Sequence, residues 1–569
     1  MQFQHSLPFG ATLLPGGGTH FRIWAPSVAT LELMIGDTAI PMQAEPGGWF
    51  ATTTLAPAGT QYRYRLPDGL LVPDPASRLQ ATDVHDPSVV VDPESYSWQH
   101  GDWAGRPWHE SVIYEAHVGL MGGFSGLRQR LPELVELGVT VLELMPIGDF
   151  PGTRNWGYDG VLHYAPDASY GTPDELKALI DAAHGLGISV MLDLVYNHFG
   201  PDGAYIHVYA KPFFDEGAHT IWGAAIDFSK PEVRDYFLQN ALYWLLEYRF
   251  DGFRYDAVQA ITDESFVLTM VETLRNATRD RPAHLVMEHD NNPSRLLRGP
   301  GPHFDAQWTD DWHHSMHVLL TGETEGYYED FEDATALFAR CLAEGFSYQG
   351  EYSRHGKKPR GELATGLSPS SFVVFLQNHD QTGNRALGER KTSLTAADKL
   401  EAATAILLLS PMIPMLFMGE EDASTSPFLF FTDHHGDLAE LVREGRRREF
   451  RHFKAFSDES VRDRIPDPND VKTFERSVPN RPDPAQRTRV QTLLALRRNH
   501  ITPGIPGARS LGAAVTGDRA IRAAWRLGTG HTLTIQLDMS DSPVPLPQEN
   551  ALYHSARVAI RLTPPPVGA

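Results

Sequence analysis

Eight short, β-branched-rich runs separated by amphipathic stretches fill the chain from about residue 109 onward, and this alternation constrains the fold more than any other feature. The runs cover 112–118, 139–146, 188–197, 252–258, 284–289, 304–311, 372–379 and 412–420. Strands that read as continuous apolar runs are buried on both faces, and parallel neighbours need a long crossover to join them. Helical periodicity supplies the crossovers. Leu176, Leu179, Ile180, Ala183 and Leu186 make one apolar face, and Val233, Phe237, Leu238, Ala241, Leu242 and Leu245 make another. Eight such units close as a (β/α)8 TIM barrel, with the last helix at 487–498.

The flanks have a different texture. Between residues 19 and 66, Phe21 and Ile23 alternate with Arg22, and Tyr62 and Tyr64 with Arg63 and Arg65, which is the period of half-buried strands. At the other end Leu533, Ile535 and Leu537 alternate with Thr532, Thr534 and Gln536. The expected division is an N-terminal β-domain over 1–93, a linker over 94–108, the barrel over 109–502 and a C-terminal β-domain over 503–569. Two barrel connections, 199–230 and 421–485, exceed the usual few residues, and in a barrel both would lie over the catalytic face.

Bulk properties exclude several functions. A chain of 569 residues exceeds a single core, and 41% hydrophobic with 21% charged residues is the composition of a soluble globular protein. A formal charge of −23 repels nucleic acid and anionic membranes, so the favoured partner is a neutral or cationic small molecule. One cysteine, Cys341, rules out internal disulfides and cysteine-based metal clusters. The most apolar stretch, 403–418, is broken by Ser410, Pro411 and Pro414 and is too short for a membrane span. The opening Met1-Gln2-Phe3-Gln4-His5-Ser6 has no basic start or apolar run, so a cytoplasmic location is expected. No cofactor or metal is expected either: a His-Glu-x-x-His pattern is missing, His313 and His314 are adjacent and cannot share an ion, and no dense Asp/Asn calcium loop occurs. Nothing in the sequence reports on oligomeric state.

Polar residues gather at the C-terminal end of five successive runs: Asp193, Asn197 and His198; Arg254 and Asp256; Glu288; Asp310 and Asp311; His379 and Asp380. Arg254 and Asp256 are two positions apart on a strand and share a face, so the cation is expected to lower the acid's pKa by roughly 1 to 3 units. Alone, such a pair is equally well a structural salt bridge. Glu288 and Asp380, each ending its own strand, point instead to a shared pocket. Glycoside hydrolysis needs one carboxylate as nucleophile and one carboxylic acid as proton donor. Asp256 suits the first role, and Glu288, after the apolar Leu285-Val286-Met287, suits the second.

The segments Asp193-Leu194-Val195-Tyr196-Asn197-His198, Gly252-Phe253-Arg254-Tyr255-Asp256, the Glu288 strand and Gln377-Asn378-His379-Asp380 resemble, in order and spacing, the four conserved regions of the α-amylase superfamily of glycoside hydrolases. The resemblance implies a retaining double displacement with Asp256 as nucleophile, Glu288 as acid and base, and Asp380 as a third carboxylate on the sugar hydroxyls. It also implies substrate contacts from Asn197, His198, Arg254 and His379, with Tyr158 of Asn155-Trp156-Gly157-Tyr158-Asp159 stacked beneath the reacting sugar. Trp156 and Asp311 join the expected substrate-binding residues, one by stacking and one by hydrogen bonding.

Within that superfamily the run 304–314, the segment 321–328, residues 377–385, 417–421 with 424–428, the arginine-rich 443–451 and the stretch 465–469 are similar to the maltooligosyltrehalose trehalohydrolases. That similarity implies cleavage of the α-1,4 bond joining a maltooligosaccharide to a terminal trehalose, and β-sandwiches at both ends of the barrel. Two departures stand out: His117–Gly126 lacks the expected Thr-Phe-Thr and Glu-Gly run, and His289 replaces the more usual Asn or Asp after the acid. The alternatives are a glycogen branching or debranching enzyme of the same superfamily, and a glucan-binding protein that has lost catalysis.

Overall fold

The computed structural model describes residues 2–220, 223–299, 301–452, 455 and 458–565. At its centre eight parallel strands, Ile113–Ala116, Val141–Leu144, Ser189–Leu194, Gly252–Tyr255, His284–Met287, Ala306–Trp308, Phe372–Phe375 and Ile413–Phe417, form a closed barrel in chain order. The eighth pairs with the first, Met415 opposite Ile113. Each strand is shorter than its apolar run, because the last residues of the run leave the ladder to turn over the barrel mouth. Two residues expected at strand ends begin helices instead: Asp310 opens Asp310–Thr321, and His379 opens His379–Gly383.

Side chains alternate in and out along a strand, so one parity fills the barrel. The lower inward layers are apolar: Ile113, Val141, Met191, Val286, Ala306, Val373, Phe375, Ile413 and Met415 pack together with Trp308. Two residues further along the same parity stand Glu115, Glu143, Asp193, Arg254 and Glu288. The register aligns Glu115 with Glu143 and Asp193 with Arg254. The barrel therefore has a dry floor and an ionic upper layer.

The N-terminal domain is a sandwich of two antiparallel sheets. One runs Gly10–Leu13, Gly18–Trp24, Trp49–Leu55, Gln43–Glu45; the other runs Thr38–Pro41, Glu32–Ile35, Gln61–Arg65, Leu71–Val72. Phe21, Ile23, Tyr62 and Tyr64 are buried between them, as their alternation requires. Both tyrosine hydroxyls donate to buried Asp74, at 2.8 and 3.1 Å. Arg78 fastens this domain to the barrel through Glu247 at 3.3 Å. Residues 94–108 do not hang free: Trp103 Nε1 donates to Asp251 at 2.8 Å and the His100 amide donates to Asp181. This strap crosses the N-terminal end of the barrel.

The C-terminal antiparallel domain is a single five-stranded sheet, Arg509–Gly517, Ala520–Arg526, Thr532–Asp538, Val558–Thr563, Ala551–His554. Its other layer comes from the barrel rather than from a second sheet among the described residues. Arg557 pairs with Asp398 at 2.5 Å and Tyr553 donates to Glu401 at 2.7 Å, both on the helix Ala397–Leu409. The two long connections carry structure of their own. The first forms the hairpin Phe214–Thr220 and Gly223–Ile226, and the second the helices Gly436–Glu449 and Val471–Arg476. No described helix is long and apolar enough to cross a membrane.

Candidate active site

Arg254 organises the barrel mouth. Its side chain is fully buried, and Nη1 donates to Asp193 at 2.5 Å and to Asp256 at 2.9 Å, while Nη2 donates to Glu288 at 2.7 Å. Its guanidinium lies 4.2 Å above the Trp308 ring, which supports the cation from below. One cation thus bridges three carboxylates from three consecutive strands. Asn197 Nδ2 donates to the other oxygen of Asp256 at 2.9 Å, and the Ala257 amide donates to Glu288 at 2.9 Å. Ala257 reaches that position with φ of +40°, a left-handed turn directly after Asp256 that an L-residue adopts at a cost.

Burial raises both acids. Burial pushes Glu288 up to about 8, against the pull of Arg254 and with repulsion from Asp256 and Asp380 added to it. Burial also raises Asp256, opposed by Arg254 and Asn197. The expectation that Arg254 would draw Asp256 below the ordinary carboxylate range is not met, because burial, with repulsion from Asp193 and Asp380 added to it, outweighs the guanidinium. Asp310, at the helix start beside the pocket, is likewise pushed up to about 8 by burial and by Glu288.

Opposite Arg254 stand His379 and Asp380. The Asn378 side chain caps their short helix, accepting from the amides of Asp380 at 2.9 Å and Gln381 at 3.2 Å, which fixes the turn that aims both side chains. His379 Nε2 lies 3.5 Å from Asp380, and its Nδ1 lies 2.5 Å from Glu115. Tyr158 stacks on the His379 ring at 4.9 Å and donates to Asp193 at 2.6 Å. His198 pairs with the Asn197 side chain at 2.5 Å and with the Tyr158 carbonyl at 3.0 Å, and burial drops its pKa to about 4.

Eight of the ten expected residues therefore meet in one place: Asp256, Glu288, Asp380, Tyr158, Asn197, His198, Arg254 and His379. Two do not. Asp311 is fully buried and structural: it receives the amides of Ser347 and Tyr348 at 2.8 and 3.0 Å and pairs with Arg360 at 2.7 Å. Helical geometry turns neighbours about 100° apart, so Asp310 faces the pocket and Asp311 faces the protein. Trp156 is also interior. It donates to the Leu429 carbonyl at 2.9 Å, stacks on Phe428 at 5.1 Å and meets His379 edge-on, so it backs the site rather than lining it. Missed altogether were Glu115 and Glu143. Inward parity on the first two strands was the signal that could have found them.

Comparison with known proteins is consistent with this geometry. The alpha amylase catalytic domain matches residues 91–222, and a domain of unknown function, DUF3459, matches 508–567. The malto-oligosyltrehalose trehalohydrolase of Deinococcus radiodurans is 40% identical over 479 residues, 83% of this chain and 78% of that protein. That of Rhizobium sp. is 37% identical across 96% of this chain and 95% of its own length. A solved structure titled putative alpha amylase from Salmonella typhimurium is 42% identical, with a TM-score of 0.93 over 98% of this chain and all of that one. A pullulanase from Paenibacillus barengoltzii, 19% identical with a TM-score of 0.69, shares the fold. With identity at this level running through nearly the full length of both partners, the chain belongs to the malto-oligosyltrehalose trehalohydrolase family of the α-amylase superfamily.

Proposed function

We propose that the protein hydrolyses the α-1,4-glucosidic bond next to the terminal trehalose of maltooligosyltrehalose, with retention of configuration. The observation that carries the chemistry is the single guanidinium of Arg254 holding Asp256 and Glu288 on its two terminal nitrogens. That keeps the carboxyl groups about one guanidinium apart, which favours the close spacing of a double displacement, roughly 5–5.5 Å, over the 6.5–9.5 Å of direct attack by water.

In this reading the maltooligosyl C1 lies over Asp256. The carboxylate attacks C1 as the bond to trehalose O4 breaks, and Glu288 delivers its proton to that oxygen so that trehalose leaves neutral. Glu288, now ionised, takes a proton from water, whose oxygen attacks C1 and releases Asp256. The maltooligosaccharide departs as the α-anomer. A pKa near 8 keeps the proton on Glu288 at neutral pH, and that leaves Asp256 as the member of the pair to ionise. Asp380 and His379 receive the hydroxyls of the reacting sugar, and Tyr158 forms its platform. The substrate is uncharged, which suits a protein of charge −23, and a lone buried cysteine suits a reducing cytoplasm.

The test is incubation with maltooligosyltrehalose and, separately, with amylose of matched chain length. Trehalose released from the first, with little cleavage or branching of the second, supports the reading. New branch points in amylose would favour a branching enzyme, and binding without cleavage would favour a glucan-binding protein.

A further inference from the structure

Glu115 and Glu143 are buried acids at the top of the barrel interior, and the double displacement uses neither. They sit side by side in register on the first two strands, each 1% exposed. Glu115 grips one residue twice. One carboxylate oxygen lies 2.5 Å from the ring Nδ1 of His379 and the other accepts the His379 backbone amide at 3.3 Å. The backbone amide can only donate, so Glu115 is the acceptor there, and the same role at the ring makes Nδ1 the donor. The contact spans 264 residues and joins the first strand to the turn after the seventh.

Orientation follows from that grip. With Nδ1 tied to the barrel wall and Tyr158 stacked on one face, Nε2 can only point across the mouth, where it lies 3.5 Å from Asp380. We infer that Glu115 is a positioning residue for the reaction: it keeps His379 doubly protonated and aims the Nε2 proton at the sugar hydroxyl shared with Asp380. The inference rests on the proposed reading of the site and adds a residue to it.

The charges around the ring support a cation there. Asp380 and Glu115 raise the His379 pKa to about 9, against burial and against Arg254. Asp193 faces it from the third strand and His117 from the turn after the first, and burial drops His117 to about 4, so His117 is neutral at working pH. Glu143 completes the ring of neighbours. It is pushed well above the carboxylate range by burial and by Glu115 and Asp193, and one of its oxygens has no hydrogen-bond partner. A protonated Glu143 adds no charge beside Glu115, which leaves Glu115 free to serve His379 alone.

The direct test needs no substrate. Nitrogen-15 NMR of the unmodified protein labelled at histidine, with the His379 signal assigned by its loss in His379→Gln, should show both ring nitrogens protonated from pH 6 to 8. A neutral His379 ring at pH 7 would overturn the proposal. Glu115→Gln keeps the shape and removes the charge. Its kcat on maltooligosyltrehalose at pH 7.5 should fall roughly 10- to 100-fold, the loss of a charge-assisted hydrogen bond, with KM within about threefold. The sign is fixed by the raised pKa: below the ordinary histidine range the variant recovers toward wild type, and the deficit grows as pH rises from 6 to 8. Glu115→Asp should restore part of the rate and the wild-type pH profile. A variant that loses only stability, with kcat and pH profile unchanged per folded molecule, would make Glu115 merely structural. If the wild-type protein released no trehalose, the functional reading would fail while the NMR result still stood or fell by itself.

Discussion

Asp251 and Asp256 lie five residues apart at opposite ends of the fourth barrel strand. Both are buried, and both are paired with an arginine. Asp251 is saturated with donors. Trp103 Nε1 and Arg281 reach one oxygen at 2.8 and 2.7 Å, and His184 and the Val190 amide reach the other at 2.9 and 2.8 Å. Those four bonds outweigh burial and hold Asp251 well below the usual carboxylate range. Asp256 receives one donor from Asn197 and a share of Arg254, and burial leaves it raised. The lesson is one of supply: four bonds hold a buried carboxylate firmly ionised as scaffold, whereas two leave it reactive.

The contrast can be broken at either end. Asp256→Ala should cost the most, roughly 10⁴-fold or more in trehalose release, while the melting temperature holds or rises because like-charged neighbours lose a member. Glu288→Gln should cost about 10²–10⁴-fold, and in the unmodified enzyme kcat/KM should fall as pH rises through about 8, where Glu288 loses the proton it must donate. Asp251→Ala should invert the pattern. Activity per folded molecule survives, but Arg281 and His184 lose their buried partner, and denaturant melts should show a loss of about 3–5 kcal/mol. A depressed folded pKa contributes stability above the unfolded value of about 3.9 and loses it as pH falls further, so the variant's stability should be flatter in acid than wild type. Tyr158→Phe should be mildest, about tenfold in kcat, from loss of the 2.6 Å bond to Asp193.

Much of this was legible beforehand because the barrel writes its site into strand ends. The eight strands and the fourfold motif placed Asp256, Glu288 and Asp380 together, since parity and direction carry side chains to one mouth. What the sequence hid were the choices made by turns and packing. Asp310 and Asp311 read alike until the chain turns helical between them, sending one to the pocket and the other to Arg360. Trp156 read as a sugar platform, but the second long connection brings Phe428 and the Leu429 carbonyl over it. Glu115 is separated from His379 by 264 residues, and no local pattern could show that they touch.

The central claim is that Asp256 forms the covalent bond to sugar and Glu288 governs its release. Mass spectrometry of Glu288→Gln, quenched during turnover of α-maltosyl fluoride, tests it most directly, because fluoride departs without an acid while the intermediate waits for a base. The account predicts a maltosyl ester on the peptide containing Asp256. An adduct on another carboxylate, or free sugar appearing as the β-anomer with no adduct, would contradict it.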